Sequence, residues 1–176
     1  MIINLFTIPI IRGNIDVNKI NLNNKKFEKS WISETMSSFY QSQYDDRMIE
    51  GEDLEYLLQT ITNLLKEMIK EDFKLKLTNI WENHYIESDY QEPHIHVNAD
   101  FSFVIYKKVD EGKTVFLNPL KKELLFYNNI AHFFISSFSP LCKTGEIIIF
   151  PSFLEHMVLP SSNNITISGN LNYIKL

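Results

Sequence analysis

Two histidines separated by one residue, His94 and His96, have the types and spacing best suited to chemistry in this chain. They lie in residues 91–106, where Pro93 disfavours a helix and the aromatic and β-branched residues that follow favour strands. Side chains at positions i and i+2 of an extended segment project from the same face. The pair therefore predicts a metal chelate on one side of a strand.

A metal held by two histidines needs at least one more donor, and His156 is the best candidate. It follows an apolar run, residues 146–150, and the pair Pro151-Ser152, which together predict a strand, a turn and the start of another strand. Three neutral histidines with open coordination positions can hold iron, zinc or another metal. On the residues alone, a zinc hydrolase or lyase stays open.

The elements that must position these histidines are short strands in the C-terminal part of the chain. Turn residues such as Asp110-Glu111-Gly112 and Lys143-Thr144-Gly145 separate them. The candidate strands are residues 74–85, 91–97, 101–108, 113–117, 123–127, 132–137, 146–150, 155–159 and 165–174. Eight or nine strands in about a hundred residues predict a mainly β, double-sheet jelly roll.

The N-terminal part carries one clear helical pattern. Leucine and isoleucine residues recur on one stripe across residues 52–70, which predicts a long amphipathic helix packed outside the sheet. Residues 2–11 predict a first strand that ends in a turn at Arg12-Gly13, and residues 14–46 predict a short helix near 27–32 and a polar loop. We expect a single domain, with an N-terminal extension at 1–72 and the β core at 73–176.

Composition limits the partners. The 176 residues are 44% apolar, enough for a sizeable core, and the net charge of −5 argues against a nucleic acid or an acidic membrane surface as the main partner. Cys142 is the only cysteine, which excludes an intramolecular disulfide and fits a reducing compartment. Neither a secretion signal nor a membrane-spanning stretch is evident, so we expect a cytoplasmic protein. The sequence leaves open whether the protein is a monomer or a homo-oligomer.

Beyond the histidines, an ordered set of motifs resembles one family. The motifs are Trp81, Asp89-Tyr90-Gln91, His94-Ile95-His96, the strand 101–106, Asn118-Pro119, Phe150-Pro151-Ser152, His156 and residues 165–170. In this order they resemble the 2-oxoglutarate- and Fe(II)-dependent oxygenases of the phage and marine-bacterial type. Earlier, residues 37–42 look similar to that family's Ser-Asn-Gly-aromatic-Gln-Ser loop.

The resemblance implies a double-stranded β-helix with Fe(II) bound in its open mouth by His94, His96 and His156. It also implies that 2-oxoglutarate binds alongside and that a C–H bond of a small-molecule or peptide substrate is oxidised. By the same resemblance, the protein would act in the cytoplasm of a phage-infected bacterial cell.

The cosubstrate residues are harder to assign, because the family's usual arginine near the last strands is replaced by Asn164. We expect contacts to 2-oxoglutarate from Asn164, Thr166, Ser168, Tyr106 and Ser102. A charge for the distal carboxylate could come from Lys107, Lys121 or Lys143, or from one of the two arginines, Arg12 and Arg47, folding over the mouth.

Two alternatives stay open at this stage. Asp100 follows the His-x-His pair as in the first motif of cupins, which predicts an additional metal ligand in an enzyme that needs no 2-oxoglutarate. The missing arginine also fits a barrel that has lost catalysis and serves as a binding or structural module.

Overall fold

The structure, a computed structural model, describes residues 7–23, 25–29, 35–45, 47–120 and 134–176. Eleven strands, two α-helices and one short 3₁₀ helix form within these ranges. The elements in chain order are β1 (Ile11–Asn14), the 3₁₀ helix (Val17–Lys19), β2 (Glu28–Lys29), β3 (Met36–Ser37), α1 (Phe39–Ser42), α2 (Gly51–Leu65), β4 (Phe73–Tyr85), β5 (Asp89–His94), β6 (Phe101–Lys108), β7 (Thr114–Leu117), β8 (Ser137–Phe138), β9 (Glu146–Pro151), β10 (His156–Ser161) and β11 (Asn164–Lys175).

The strands form two antiparallel sheets. The larger sheet has the order β1-β9-β6-β11-β4-β3-β2, and the smaller has the order β5-β10-β7-β8. The eight strands from β4 to β11 are divided four and four between the two sheets, and the three strands of the N-terminal extension join the edges of the larger one. This is the predicted double-stranded β-helix.

The strand β11 shows how the sequence separates the two faces of the larger sheet. Ile167 and Leu171 are fully buried in a core on the outer face. Thr166, Ser168 and Asn170 alternate with them and line a cavity between the sheets. A period of two thus places a dry core on one side of this strand and a polar cavity on the other.

The helix α2 covers the outer face of the larger sheet, as predicted. Its residues Leu57, Ile61 and Leu65 are fully buried in the outer core together with residues of β6 and β9. Gly13 of β1 lets the helix approach closely, because a Cβ at that position would lie 2.5 Å from a side-chain carbon of Leu64. The helix therefore supports the sheet from outside the cavity.

The structure corrects the end of this helix. It ends at Leu65 and not at residue 70, because the amide of Met68 bonds to the carbonyl of Leu65 in a tight turn. The turn allows Ile69 to pack against the outer core before β4 begins at Phe73.

Three other boundaries differ from prediction. From residue 7 onward, the first strand begins at Ile11 and includes Arg12-Gly13, since these residues pair with β9, while residues 2–6 of the predicted strand lie outside the described residues. The predicted helix near 27–32 is wrong at Glu28–Lys29, which pair with β3 as a strand. The predicted strand 132–137 is wrong at residues 134–136, and only Ser137 of it belongs to a strand, β8. Residues 132 and 133 and the predicted strand 123–127 lie outside the described residues. In the described part of the chain, no helix has the length and apolar character needed to cross a bilayer.

Candidate metal centre and its cavity

The three predicted metal ligands come together between the ends of two paired strands. His94 ends β5 and lies directly opposite His156, which begins β10. His96 follows two residues after β5, where its amide donates to the carbonyl of Ser152 at 3.0 Å. The ring centroids lie 4.3 Å apart for His94 and His156, 5.0 Å for His96 and His156, and 5.3 Å for His94 and His96. One ligand atom from each ring lies within 4.8 Å of the other two.

A bulge in β5 directs two of its side chains into the cavity. His156 pairs with His94 and Val158 with Gln91, so three residue steps on β5 match two on β10. The extra residue falls around Pro93, which cannot donate a ladder hydrogen bond. As a result both Gln91 and His94 line the cavity, although strict alternation would place them on opposite faces.

Hydrogen bonds fix the tautomer of all three imidazoles. In each ring Nδ1 contacts a carbonyl oxygen, which can only accept, so Nδ1 carries the proton and Nε2 is left as a free electron-pair donor. The acceptors are the main-chain oxygen of Glu92 for His94 at 2.7 Å, the main-chain oxygen of Leu154 for His156 at 2.9 Å and the side-chain oxygen of Asn170 for His96 at 2.6 Å. The cluster therefore presents three lone pairs in the form that a metal requires.

Asn170 is a residue whose role sequence reasoning missed. Its Oδ1 accepts from His96 and from the hydroxyl of Ser102 at 2.8 Å, and its Nδ2 donates to Asn79 at 2.9 Å. Ser102 in turn bonds to Ser152 at 2.8 Å. The amide is thus held by several strands of the larger sheet, and only its position at the end of the last motif pointed to it.

Burial keeps the three histidines uncharged. Removal from water lowers the pKa of His94, lowers that of His96 to about 4 and lowers that of His156 well below the usual value. The neighbouring imidazoles lower the pKa of His156 further. At neutral pH the cluster is therefore neutral and ready to bind a cation.

A cavity of about 780 Å³ extends from the histidines between the two sheets. Of the predicted cosubstrate residues, Tyr106, Asn164, Thr166 and Ser168 line it. Ser102 does not contact the cavity and belongs to the Asn170 network behind its wall, so its prediction as a cosubstrate contact is corrected.

The structure also corrects the prediction of Asp100 as a metal ligand. Asp100 is exposed, and its carboxylate accepts the amide of Tyr173 at 2.8 Å. It does not belong to the histidine cluster. The alternative in which Asp100 completes a cupin-type centre is therefore wrong.

The basic residues predicted for the distal carboxylate are placed elsewhere. Lys107 faces the outer side of the larger sheet and bonds to Glu82 at 2.8 Å, while Arg12 bonds to Glu146 at 2.6 Å on the sheet edge. Arg47 and Lys143 lie outside the cavity lining. Lys121 lies outside the described residues.

Lys113, which sequence reasoning did not propose, is the cation that lines the cavity. Among the described lining residues it is the only Lys, Arg, Asp or Glu. It precedes β7, three residues before Phe116, which pairs with His156. That separation is roughly 10 Å along a strand. In this structure its ammonium bonds to Glu111 at the surface, at 2.8 Å.

The same end of the cavity contains an unsatisfied hydroxyl. Within the described ranges, Ser161 Oγ is the buried side-chain polar atom without a hydrogen-bond partner. A buried hydroxyl in a native protein is normally paired, so a bound ligand is a natural partner. Lys113, Ser161, Tyr106 and Thr166 together offer a cation and hydroxyl groups to an anionic ligand.

Comparisons with known proteins agree with this geometry. The family model described as "Putative 2OG-Fe(II) oxygenase" matches residues 79–170, just over half of the chain. No curated protein matches. The fold is similar to that of a prolyl-4-hydroxylase from Pseudomonas putida, with 13% identity, a TM-score of 0.57 and coverage of 94% of this chain and 93% of that one. It is also similar to the non-haem alpha-ketoglutarate-dependent epimerase SnoN from nogalamycin biosynthesis, with 10% identity, a TM-score of 0.58 and coverage of 94% and 76%.

A third solved structure, a 2OG-Fe(II) oxygenase family oxidoreductase from Burkholderia pseudomallei, shares 14% identity at a TM-score of 0.49. The match covers 69% of this chain and 58% of that protein, so the chain spans less than two thirds of that protein's length.

The fold and the family match define a class, the double-stranded β-helix oxygenases. Within that class the chain belongs to the 2OG-Fe(II) oxygenase family. It is therefore an oxidoreductase whose cofactors are Fe(II) and 2-oxoglutarate.

Proposed function

We propose that His94, His96 and His156 hold the Fe(II) and that the enzyme hydroxylates a C–H bond of its substrate. The observation that supports this best is the convergence of three neutral imidazoles whose Nδ1 protons are all committed to carbonyl oxygens. Such a set binds a divalent ion through Nε2 and leaves coordination positions open for oxygen and a cosubstrate.

Charge supports a dianionic cosubstrate at this centre. Three neutral ligands leave the two positive charges of Fe(II) uncompensated, and the described cavity lining contains no Asp or Glu. Lys113 adds one more positive charge. A dicarboxylate that chelates the metal with one end and reaches this lysine with the other compensates two of these three positive charges.

The distal carboxylate of 2-oxoglutarate is assigned to the end of the cavity around Lys113. We infer that the ammonium exchanges its exposed Glu111 partner for this carboxylate, with Ser161 and Thr166 as further donors. Burial raises the pKa of Tyr106, so its hydroxyl stays protonated, and it donates that proton to Thr114 at 2.8 Å beside the proposed carboxylate position. Gly112 brings the main chain against the Tyr106 ring, since a Cβ there would lie 2.4 Å from it.

The proposed reaction balances with oxygen as the oxidant. One oxygen atom enters the substrate, converting C–H to C–OH, and the other enters 2-oxoglutarate, which loses carbon dioxide and becomes succinate. The bound iron and cosubstrate supply this oxidising chemistry. The protein's residues orient both groups, and the cavity walls limit the access of water.

A hydrolase at the same centre is less well supported. Three histidines could hold zinc, but a hydrolase also needs a general base near the metal-bound water. Among the described residues that line the cavity, no carboxylate is present to take that role. This favours the oxygenase.

The test is succinate formation. Protein supplied with Fe(II), oxygen and 2-oxoglutarate should release succinate, and a pool of small molecules or peptides that contains the substrate should increase the rate. His156→Ala should abolish the release, whereas His84→Ala, which alters a histidine on the outer face, should leave it intact. Succinate release that persists at the wild-type rate in His156→Ala would contradict the assignment of the metal ligands.

A further inference from the structure

We propose that the substrate of this enzyme is an uncharged ring compound carrying hydroxyl or amide groups, as a sugar does. The inference rests on the proposed function, because it concerns the part of the same cavity that 2-oxoglutarate leaves free. It follows from the composition of the cavity lining and from a set of aromatic rings beside the histidines.

The cavity lining is almost free of charge. Charged residues make up 22% of the whole chain. Only Lys113 among the 29 described lining residues is one of them, and the proposed function commits it to the cosubstrate. A charged substrate would find no uncommitted side chain of opposite charge in the described lining and would lose its hydration on entering, which is costly. The lining therefore selects against ions.

The cavity is nevertheless strongly polar. Seven of the lining residues are Asn or Gln, and seven are Ser or Thr. Amides and hydroxyls both donate and accept hydrogen bonds. Some of these groups pair with one another, as Asn83 does with Ser37 and Ser168, so a ligand that presents hydroxyl or amide groups would bond to those that have no partner in the protein.

Aromatic rings extend from the metal centre to the helix α1. The ring of Trp81 lies 5.7 Å from that of His96 and 4.9 Å from that of Phe39, and Phe39 lies 6.0 Å from Tyr40. All four residues line the cavity. Aromatic faces pack against the apolar face of a ring, so they complement the polar groups.

The open border of this region carries uncharged polar side chains as well. Gln43 follows α1, Thr78 lies in the bulge of β4 opposite Asn170, and Asn98 lies in the loop after His96. All three line the cavity and are exposed. Within the described chain their side chains make no hydrogen bond, which leaves them available to a ligand.

The experiment compares matched ligands that differ in charge. Methyl glucoside, glucuronate and glucosamine form one set, and benzamide, benzoate and benzylamine form the other. Binding to the zinc-loaded protein, with 2-oxoglutarate present, is measured by ligand-observed NMR. We expect methyl glucoside, benzamide or both to bind, and the charged members of that set to bind at least about tenfold more weakly.

A variant reverses the expected preference. Gln43→Glu places an anion at the border and should shift binding toward glucosamine or benzylamine, whereas Gln59→Glu, on an exposed position of α2, should change nothing. Equal or tighter binding of a charged member, or binding of none of the six compounds, overturns the inference.

Failure of the substrate inference can be distinguished from failure of the proposed function, because 2-oxoglutarate binding is measured on the same samples. Calorimetry on the zinc-loaded protein measures cosubstrate binding without any substrate. If 2-oxoglutarate binds and the neutral ligands do not, only the substrate class is wrong. If 2-oxoglutarate does not bind, the proposed function fails, and ligand selectivity is then judged on the metal-loaded protein alone.

Discussion

Asn170 links the candidate metal centre to the body of the larger sheet. Because its side-chain oxygen accepts the Nδ1 proton of His96, this amide fixes both the tautomer and the direction of one proposed ligand. Non-haem Fe(II) oxygenases are typified by two histidines and one carboxylate, and a carboxylate needs no such partner to present an electron pair. A histidine in place of that carboxylate depends on a neighbour such as Asn170 to keep its proton on Nδ1 and leave Nε2 free for the metal.

We therefore predict that Asn170→Ala weakens metal binding by about 10-fold to 100-fold, as the loss of an outer-shell partner does. The measurement is competitive titration of Zn(II) against a fluorescent chelator. Asn172→Ala, two residues on in the same strand and outside the cavity lining, is the matched control. An Asn170→Ala protein with wild-type affinity and an intact fold would show that His96 needs no support from this amide.

A second prediction concerns Lys113. Lys113→Met should raise the Kd for 2-oxoglutarate by about 10-fold to 100-fold, the effect expected when a charge-assisted hydrogen bond is lost. Calorimetry on the zinc-loaded protein measures this without turnover, and Lys143→Met provides a control outside the cavity. Equal affinities in wild type and Lys113→Met would rule out this lysine as the carboxylate partner.

The difference between these residues shows which ones a sequence can identify. His94 and His96 could be predicted because their spacing and a strand pattern already imply a chelate. Lys113 could not be predicted, because the sequence does not show which lysine faces the cavity. Lys107, for example, was an equally good candidate, and only its bond to Glu82 shows that it lies on the outer face of the sheet. Asn170 could not either, since its role depends on strand register.

At the scale of elements, a buried carboxylate joins the N-terminal extension to the β core. Glu82 of β4 is 2% exposed and accepts hydrogen bonds from Lys25 of the extension, from Lys107 of β6 and from His84 of its own strand. Burial alone would raise its pKa, but the bonds from Lys107, His84 and Lys25 outweigh it and lower the pKa to about 2.

The shift predicts a pH dependence of stability. Between pH 4.5 and about 2 the unfolded chain binds more protons at this carboxyl than the folded protein does, so its contribution is complete above pH 4.5 and is lost as the pH falls. Glu82→Gln should lower the free energy of unfolding at pH 7 by about 3 kcal/mol. The difference from wild type should disappear toward pH 2.

Urea denaturation at several pH values measures this effect, with Glu55→Gln on the exposed side of α2 as the control. A difference between Glu82→Gln and wild type that is constant from pH 7 to pH 3 would show that the carboxylate is not held in its charged form by these partners.

The elements of the extension also show where prediction from sequence ends. The helix α2 has a strong period of its own, so its existence was predictable, whereas its last turn depended on how Ile69 reaches the core. The strands β2 and β3 contain two residues each and exist because the edge of β4 is available for pairing. No local pattern encodes so short a strand.

At the scale of the whole molecule, the larger sheet separates two environments with different tasks. Its outer face packs against α2 and the extension in an apolar core, and its inner face bounds the polar cavity. A second apolar cluster, which includes Ile148 and Phe150 of β9 and Phe116 of β7, packs on the inner side beside the cavity, so both faces contribute to stability. The number of short strands between turn residues made this architecture predictable; the similar solved structures confirm the fold, and the family match confirms the class of enzyme.

The chain has a net charge of −5, yet none of its acidic residues is among the described residues that line the cavity. The described lining of the cavity contains one lysine and no acidic residue, so the candidate metal centre becomes strongly cationic once a divalent metal binds. Composition alone would suggest a protein that repels dicarboxylates. The fold reverses this by keeping its carboxylates away from the histidines.

The most direct test of the central claim is an anaerobic titration of the Fe(II)-loaded protein with 2-oxoglutarate, followed by visible absorption. We predict a saturable charge-transfer band with one equivalent of cosubstrate per chain, absent in His156→Ala and requiring more 2-oxoglutarate in Lys113→Met. A band of equal intensity in His156→Ala, or no band from wild-type protein that has bound iron, would contradict the account.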